Sequence, residues 1–277
     1  MDVEKKIFTL IPYLLKKYDK RKIGVAIDIG VGTFNFYCEV FKDEGFNTYA
    51  IEPLPSENLQ KLVKERNINL ISACITGFNG KIMIYSGQFH GSQSSDLSSI
   101  HKSWWGVNEQ SNVSLVDSIR LEKLFSEYSI DQITYMKIDT EGSEWEIISQ
   151  FQELDRTTLP KIVEFEYGGG ASKHEQKAGW SQEYFSKTID CISTLKECGY
   201  KYVLVFDREE NQPLFYTLRS LRNIKHIFKE TYVYGNLIFF KEKKFSNRKI
   251  SLLFNGKTSI IALFKKFIKT LIRKVSI

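Results

Sequence analysis

The sequence predicts an α/β fold: a mostly parallel sheet with an antiparallel edge strand, crossed by helices, with an amphipathic helix appended at the C-terminus. Three observations carry this expectation. Short apolar runs alternate with helical patterns from Val25 to Phe240, the alternation that makes right-handed crossovers and parallel strands. The first run ends at Asp28 and enters a turn bearing Gly30 and Gly32. The second ends in an acid, Glu52, at roughly the 20-residue spacing of a carboxylate that grips a ribose hydroxyl.

The elements follow in order. Ile7–Leu15 reads as a short N-terminal helix, bent or begun near Pro12. Val25–Asp28 and Thr48–Glu52 are the first two strands, and Ser56 caps the helix behind Leu59, Leu62 and Val63. Ile68–Ile75 is a third strand, and Thr76–Gly80 turns into a hairpin arm at Lys81–Tyr85. Gly87–Asn112 is polar, Ser-rich and aromatic-tipped, a long loop of the kind that serves function. Leu121–Phe125 is helical, Ile133–Asp139 a buried strand, and Thr140–Ile148 the turn and helix after it. Lys161–Tyr167 is the fifth strand and runs into Gly168-Gly-Gly170. Trp180–Cys198 is a helix stopped by Gly199, and Tyr202–Phe206 and Tyr234–Phe240 close the sheet as its antiparallel edge.

The glycine turn implies a nucleoside-bearing ligand. A dinucleotide fingerprint wants a third small residue where this chain has Asn35, and Asp28 would repel a pyrophosphate. S-adenosylmethionine has the ribose and adenine without the phosphates, and its cationic end suits an acid. A turn with no ligand is the bland alternative.

A chain of 277 residues with 42% hydrophobic and 14% aromatic content buries a full core. No apolar run approaches the ~18 residues of a spanning helix, and Met1–Lys6 lacks the pattern of a signal peptide. Cytoplasmic placement is therefore expected. Cys191 and Cys198, seven apart in a helical pattern, face a core, and no C-x-x-C occurs. The net charge of +6 is uneven: residues 241–277 hold 11 Lys/Arg and one acid, so residues 1–240 hold 28 basic and 32 acidic residues. A mildly acidic body argues against a nucleic-acid substrate.

Several motifs stand in a telling order: Asp28-x-Gly30-x-Gly32, Ile51-Glu-Pro-Leu-Pro-Ser-Glu-Asn58, Asn79-Gly80, Val116-Asp-Ser-Ile119 and Met136-Lys-Ile-Asp-Thr-Glu-Gly-Ser-Glu144. Together they resemble the FkbM-type methyltransferases over about residues 23–167, more loosely to 240. The first motif departs from the common form, with Gly32 where Asn is usual and Phe34 where Gly is usual. The resemblance implies a class I, Rossmann-like methyltransferase fold that uses S-adenosylmethionine, most often for O-methylation of sugars or glycosylated natural products. The expected partner is thus a carbohydrate acceptor.

Ligands of such sheets bind beyond the carboxyl ends of the strands. The expected cofactor contacts are Asp28, Gly30, Gly32, Asn35, Glu52, Pro53 and Asp139. A sugar hydroxyl is a weak nucleophile and needs a proton acceptor. Asp139, Glu141, Glu166 and His174 are the candidates, His174 delivered from the segment after the three glycines. Glu144 has a helix-capping reading, and His90 and His101 stand in the polar loop with a solvent-exposed reading beside a catalytic one. Asp139 with Glu166 would suit Mg²⁺ through oxygen ligands; a carboxylate pair lining a polar pocket is the alternative, and no metal is assigned.

Three regions result: an N-terminal helix at 1–22, a catalytic domain at 23–245, and a basic tail at 246–277. In the tail, Ile260, Phe264, Phe267, Ile268, Leu271 and Val275 form a stripe with Lys265, Lys266, Lys269 and Arg273 largely opposite. That pattern suits peripheral attachment to the anionic inner face of a membrane, and equally a helix docked on the domain or on a second copy in a homo-oligomer. An NAD-dependent oxidoreductase and a catalytically inactive cofactor-binding module are the competing readings of the whole.

Overall fold

Ile133-Thr-Tyr-Met-Lys-Ile138 is β-branched, aromatic or aliphatic at nearly every position, so such a strand needs cover on both faces. The computed structural model describes residues 3–89 and 92–246, with 248, 250, 253 and 254, and supplies that cover. In chain order the strands are β1 (Val25–Ile29), β2 (Thr48–Ile51), β3 (Asn69–Ile71), β4 (Cys74–Ile75), β5 (Gly80–Phe89), β6 (Ser92–Ser99), β7 (Val113–Ile119), β8 (Ile133–Ile138), β9 (Ile162–Gly168), β10 (Tyr202–Asp207), β11 (Leu214–Thr217) and β12 (Tyr234–Phe240). The helices are α1 (Val3–Tyr18), α2 (Phe36–Asp43), α3 (Glu57–Arg66), α4 (Leu121–Glu127), α5 (Glu144–Ile148) and α6 (Gln182–Glu197).

Eight strands form the large sheet in the order β11-β10-β12-β9-β8-β1-β2-β3. From β3 through β9 the pairings are parallel. One face packs on α1 and α2 through Ala26, Tyr135, Leu204 and Phe240; the other packs on α4, α5 and α6 through Ile27, Met136, Val163 and Val205. Ser56 caps α3, accepting from Leu59 N at 3.2 Å, and Gly199, in the left-handed region, follows α6.

The structure departs from the sequence reading in five places. Thr76–Gly80 does not close a hairpin, because β7 lies between Cys74–Ile75 and the Lys81–Tyr85 arm. The Tyr234–Phe240 strand is not an edge: β12 lies antiparallel between β9 and β10, because six of its seven residues are buried. The antiparallel edge is β11 instead. Ile68–Ile75 is two strands, with Asn69–Ile71 in the large sheet and Cys74–Ile75 in a second sheet of order β4-β7-β5-β6. The polar stretch after Gly87 contributes a real strand, β6, which returns antiparallel along β5. Finally, α1 runs through Pro12 as one 16-residue helix.

The proposed boundary at residue 246 is not a break in packing. Phe245 and Ile250 are buried, and Leu253 and Phe254 pack beside them, in the cluster that holds α1. The amphipathic stretch Ser259–Val275 lies outside the described residues, as does His90.

Candidate functional site

The carboxyl ends of β1, β2, β8 and β9 meet at one rim. Gly30 N–H donates to Ile51 O at 2.9 Å, and Asp139 N–H donates to Ile29 O at 2.9 Å, binding the three strand ends together. A Cβ on Gly30 would stand 1.7 Å from Asp139 O, and the residue has φ +78°. Only glycine allows that approach.

Glu52 is held in place from both sides. Its Oε2 accepts from Gly32 N at 2.8 Å and its Oε1 from Leu54 N at 3.0 Å. Burial pushes this carboxyl above the ordinary carboxylate range, and the two N–H groups pull the other way. Each oxygen keeps acceptor capacity for a further donor. The turn is also tied to the second sheet: Thr33 N and Oγ1 donate to the Asp96 carboxylate at 2.6 and 2.7 Å.

Across the rim, Asp139 is oriented from below. Lys137, 1% exposed, places its Nζ 2.8 Å from Asp139 Oδ2 and 5.2 Å from the centre of the Tyr37 ring. Burial alone would lower the Lys137 pKa, but Asp139, Glu164 and Glu166 together hold it raised and the amine charged. Glu164, fully buried, accepts from Tyr37 Oη at 2.6 Å, Asn236 Nδ2 at 2.7 Å and Tyr135 Oη. Glu141 sits at φ +52°, a costly position for a residue with a Cβ, of the kind that clusters at functional sites. Its Oε2 accepts from Trp104 Nε1 at 2.8 Å and its carbonyl from Ser99 Oγ at 2.6 Å. Burial, then the charges of Asp139, Glu166 and Glu144, push the Glu141 carboxyl well above its usual range.

Two clefts open from this rim. The first holds about 560 Å³ of empty space and runs from Gly30, Gly32, Glu52 and Pro53, past apolar walls of Ile51, Ala73, Ile75 and Ile84, to Asp139 and Glu141. The second, about 430 Å³, is lined by Trp104, Trp145, Tyr184, Glu166 and Lys187, and again by Asp139 and Glu141. The two residues common to both mark where the clefts meet.

Gly30, Gly32, Glu52, Pro53 and Asp139 thus line the first cleft, and Asp139, Glu141 and Glu166 the second. Three expected site residues line neither. Asp28, 2% exposed, alternates onto the α2 face of β1, where Cys38 Sγ donates to it at 3.3 Å. Asn35 is the N-cap position of α2 and makes no side-chain cap bond. His174 is exposed in a short 3-10 turn, its Nδ1 2.9 Å from Ser172 Oγ. The glycines before it are packed and not a hinge: a Cβ on Gly168 would meet Val233 O at 2.5 Å. His101 lies 3.0 Å from Glu146 Oε1. The helix-capping reading of Glu144 does not hold: the N-cap of α5 is Ser143, with no side-chain cap bond, while Glu144 accepts from Thr140 N at 3.0 Å in the turn before the helix and lines the second cleft. Among the described residues no three His, Cys, Asp or Glu side chains are placed to hold a metal ion.

Sequence reasoning assigned no site role to Lys137, Glu164, Asp96 or Trp104. A signal existed for the first, a lysine inside an apolar strand and opposite Asp28 in register; for Asp96 there was none.

A family model described as the Methyltransferase FkbM domain matches residues 22–202. No curated protein matches the chain. Among solved structures, the methyltransferase domain of bacterial CtHen1-CN is similar at 8% identity over 86% of this chain and 100% of its own, with a TM-score of 0.41. Fibrillarin from Aeropyrum pernix, in complex with natively bound S-adenosyl-L-methionine, is 10% identical over 85% of this chain and 76% of its own, with a TM-score of 0.38.

Proposed function

The chain belongs to the FkbM methyltransferase family, and from that premise we propose that it transfers a methyl group from S-adenosylmethionine to a carbohydrate hydroxyl. The observation that carries this reading is the meeting of two clefts at Asp139 and Glu141. A transfer enzyme needs donor and acceptor pockets that touch at one point, so that the reacting atoms are held in line.

The first cleft suits the donor. Glu52 accepts from the ribose hydroxyls, while Ile51, Ala73, Ile75 and Ile84 enclose the base. Bound S-adenosylmethionine supplies an electrophilic methyl on a cationic sulfur. The carboxylates at the rim favour that cation and disfavour the pyrophosphate of a nicotinamide dinucleotide. The second cleft suits a sugar: Trp104, Trp145 and Tyr184 offer flat apolar surface and Glu166 a polar contact. Asp139 is engaged by Lys137 at 2.8 Å and orients the acceptor. Glu166, which lines the acceptor cleft alone, takes the hydroxyl proton as the oxygen–methyl bond forms and the carbon–sulfur bond breaks.

Labelled S-adenosylmethionine and a panel of nucleotide sugars and glycans provide the test. Wild type should methylate at least one, and Glu166→Gln should lower kcat by roughly 10², the scale of a lost proton acceptor, with cofactor affinity little changed. Tight cofactor binding without transfer to any carbohydrate would reject the acceptor class. Normal turnover by Glu166→Gln would reject the base.

A further inference from the structure

Every charged side chain on the wall of the donor cleft already has a partner. Glu52 holds two backbone N–H groups, Asp96 holds Thr33, Glu141 holds Trp104, and Asp139 holds Lys137. Thr140 is bonded to Glu144. Two hydroxyls on the same wall are different. Ser143 Oγ and Ser98 Oγ are buried and, among the described residues, have no hydrogen-bond partner. Ser143 is 3% exposed.

An unpaired buried hydroxyl lowers the stability of the empty protein, so its presence calls for a reason. The fold supplies none. Ser143 occupies the N-cap position of α5 but makes no side-chain cap bond. Ser98 reaches the cleft from β6 of the second sheet, two residues after the Asp96 that secures the glycine turn. The two serines therefore approach one space from different elements, the start of α5 and strand β6.

We propose that Ser143 and Ser98 form the hydrogen-bonding pair that reads the edge of the cofactor's adenine. The proposal rests on the donor reading of this cleft. Glu52 serves the ribose, Asp139 and Glu141 stand at the rim where the clefts meet, and the apolar walls of the same cleft enclose the base, whose polar edge needs hydrogen-bonding partners among them. Ring nitrogens accept and the 6-amino group donates; a serine hydroxyl does both. The surrounding walls, Ile51, Ala73, Ile75, Ile84 and Ile100, are apolar, so an unmatched base edge would be disfavoured there.

The pair is tested with S-adenosylhomocysteine, its 1-deaza, 3-deaza and 7-deaza forms, and its 6-oxo form, by calorimetry on the full chain. Wild type should bind at least one altered base about tenfold more weakly than adenine. Ser143→Ala and Ser98→Ala should each weaken S-adenosylhomocysteine several-fold, and the double variant should lose the discrimination between bases. In the ligand-free state the same variants should melt higher, by about 2–4 °C for Ser143→Ala, because an unpaired hydroxyl has been removed. A residue that merely supported the fold would move both quantities the same way. Unchanged affinity, or base discrimination kept in the double variant, overturns the proposal. Failure of wild type itself to bind S-adenosylhomocysteine overturns the donor reading instead, so the two failures are told apart.

Discussion

Asp28 and Lys137 face each other across neighbouring parallel strands, and their burial explains much of what single residues do here. Burial pushes the Asp28 carboxyl from an ordinary value of 3.8 to about 7, against the opposing pull of Lys137 and the Cys38 thiol. Between those values the folded chain holds a proton that the unfolded chain has released, so stability falls as pH rises through this window and levels off above about 7. Asp28→Asn removes the titrating group. Its stability relative to wild type should climb from pH 4 to pH 7 and then stay flat, by at most about 4 kcal/mol at ~1.36 kcal/mol for each pH unit. Denaturant midpoints across that range check this, and a difference independent of pH would refute it. The same residue shows the limit of reading a site from sequence. The motif placed Asp28 at a strand end, but its neighbours Ile27 and Ile29 take the α4–α6 face, so period 2 turns Asp28 the other way. Glu52 and Asp139 were legible because each sits where its strand runs out at the rim.

At the scale of elements, the hidden part was the second sheet. Its strand β6 reads Ser-Gln-Ser-Ser-Asp-Leu-Ser-Ser, with a single apolar residue, so no alternation announces it. Yet this hairpin arm brings Asp96 and Ser98 to the first cleft. The end of β6 and the segment after it bind the wall of the second cleft at three points: Ser99 Oγ to Glu141 O at 2.6 Å, Trp104 Nε1 to Glu141 Oε2 at 2.8 Å, and Ser103 Oγ with Tyr184 Oη at 2.8 Å. Trp104→Phe keeps a ring over the cleft while deleting one of these bonds. Losing a single hydrogen bond of about 1 kcal/mol should raise the acceptor KM roughly fivefold and leave cofactor affinity within about twofold. Equal losses for donor and acceptor would mean that this segment covers both clefts alike. By contrast, the capped helix α3 and the all-buried β8 were legible in advance, since their patterns are local.

For the whole molecule, charge and packing divide at different places. The sign of the charge changes near residue 241, but Phe245, Ile250, Leu253 and Phe254 still belong to the core that holds α1. Cutting at Asn247 would therefore strip side chains from that core, and a cut that spares them falls after Phe254. No helix among the described residues is long and apolar enough to cross a membrane. The tail of residues 255–277 carries six Lys/Arg and no acid beside its apolar stripe, and a basic amphipathic segment binds anionic surfaces with about 1 kcal/mol for each well-placed cation. We expect the full chain to sediment with vesicles containing phosphatidylserine and to be released by added salt, which screens that attraction. A chain ending at Phe254 should stay in solution with those vesicles while its methyl transfer and cofactor affinity remain those of the full chain. Aggregation of the shortened chain, or loss of its cofactor, would assign the stripe to packing on the domain or on a second copy instead.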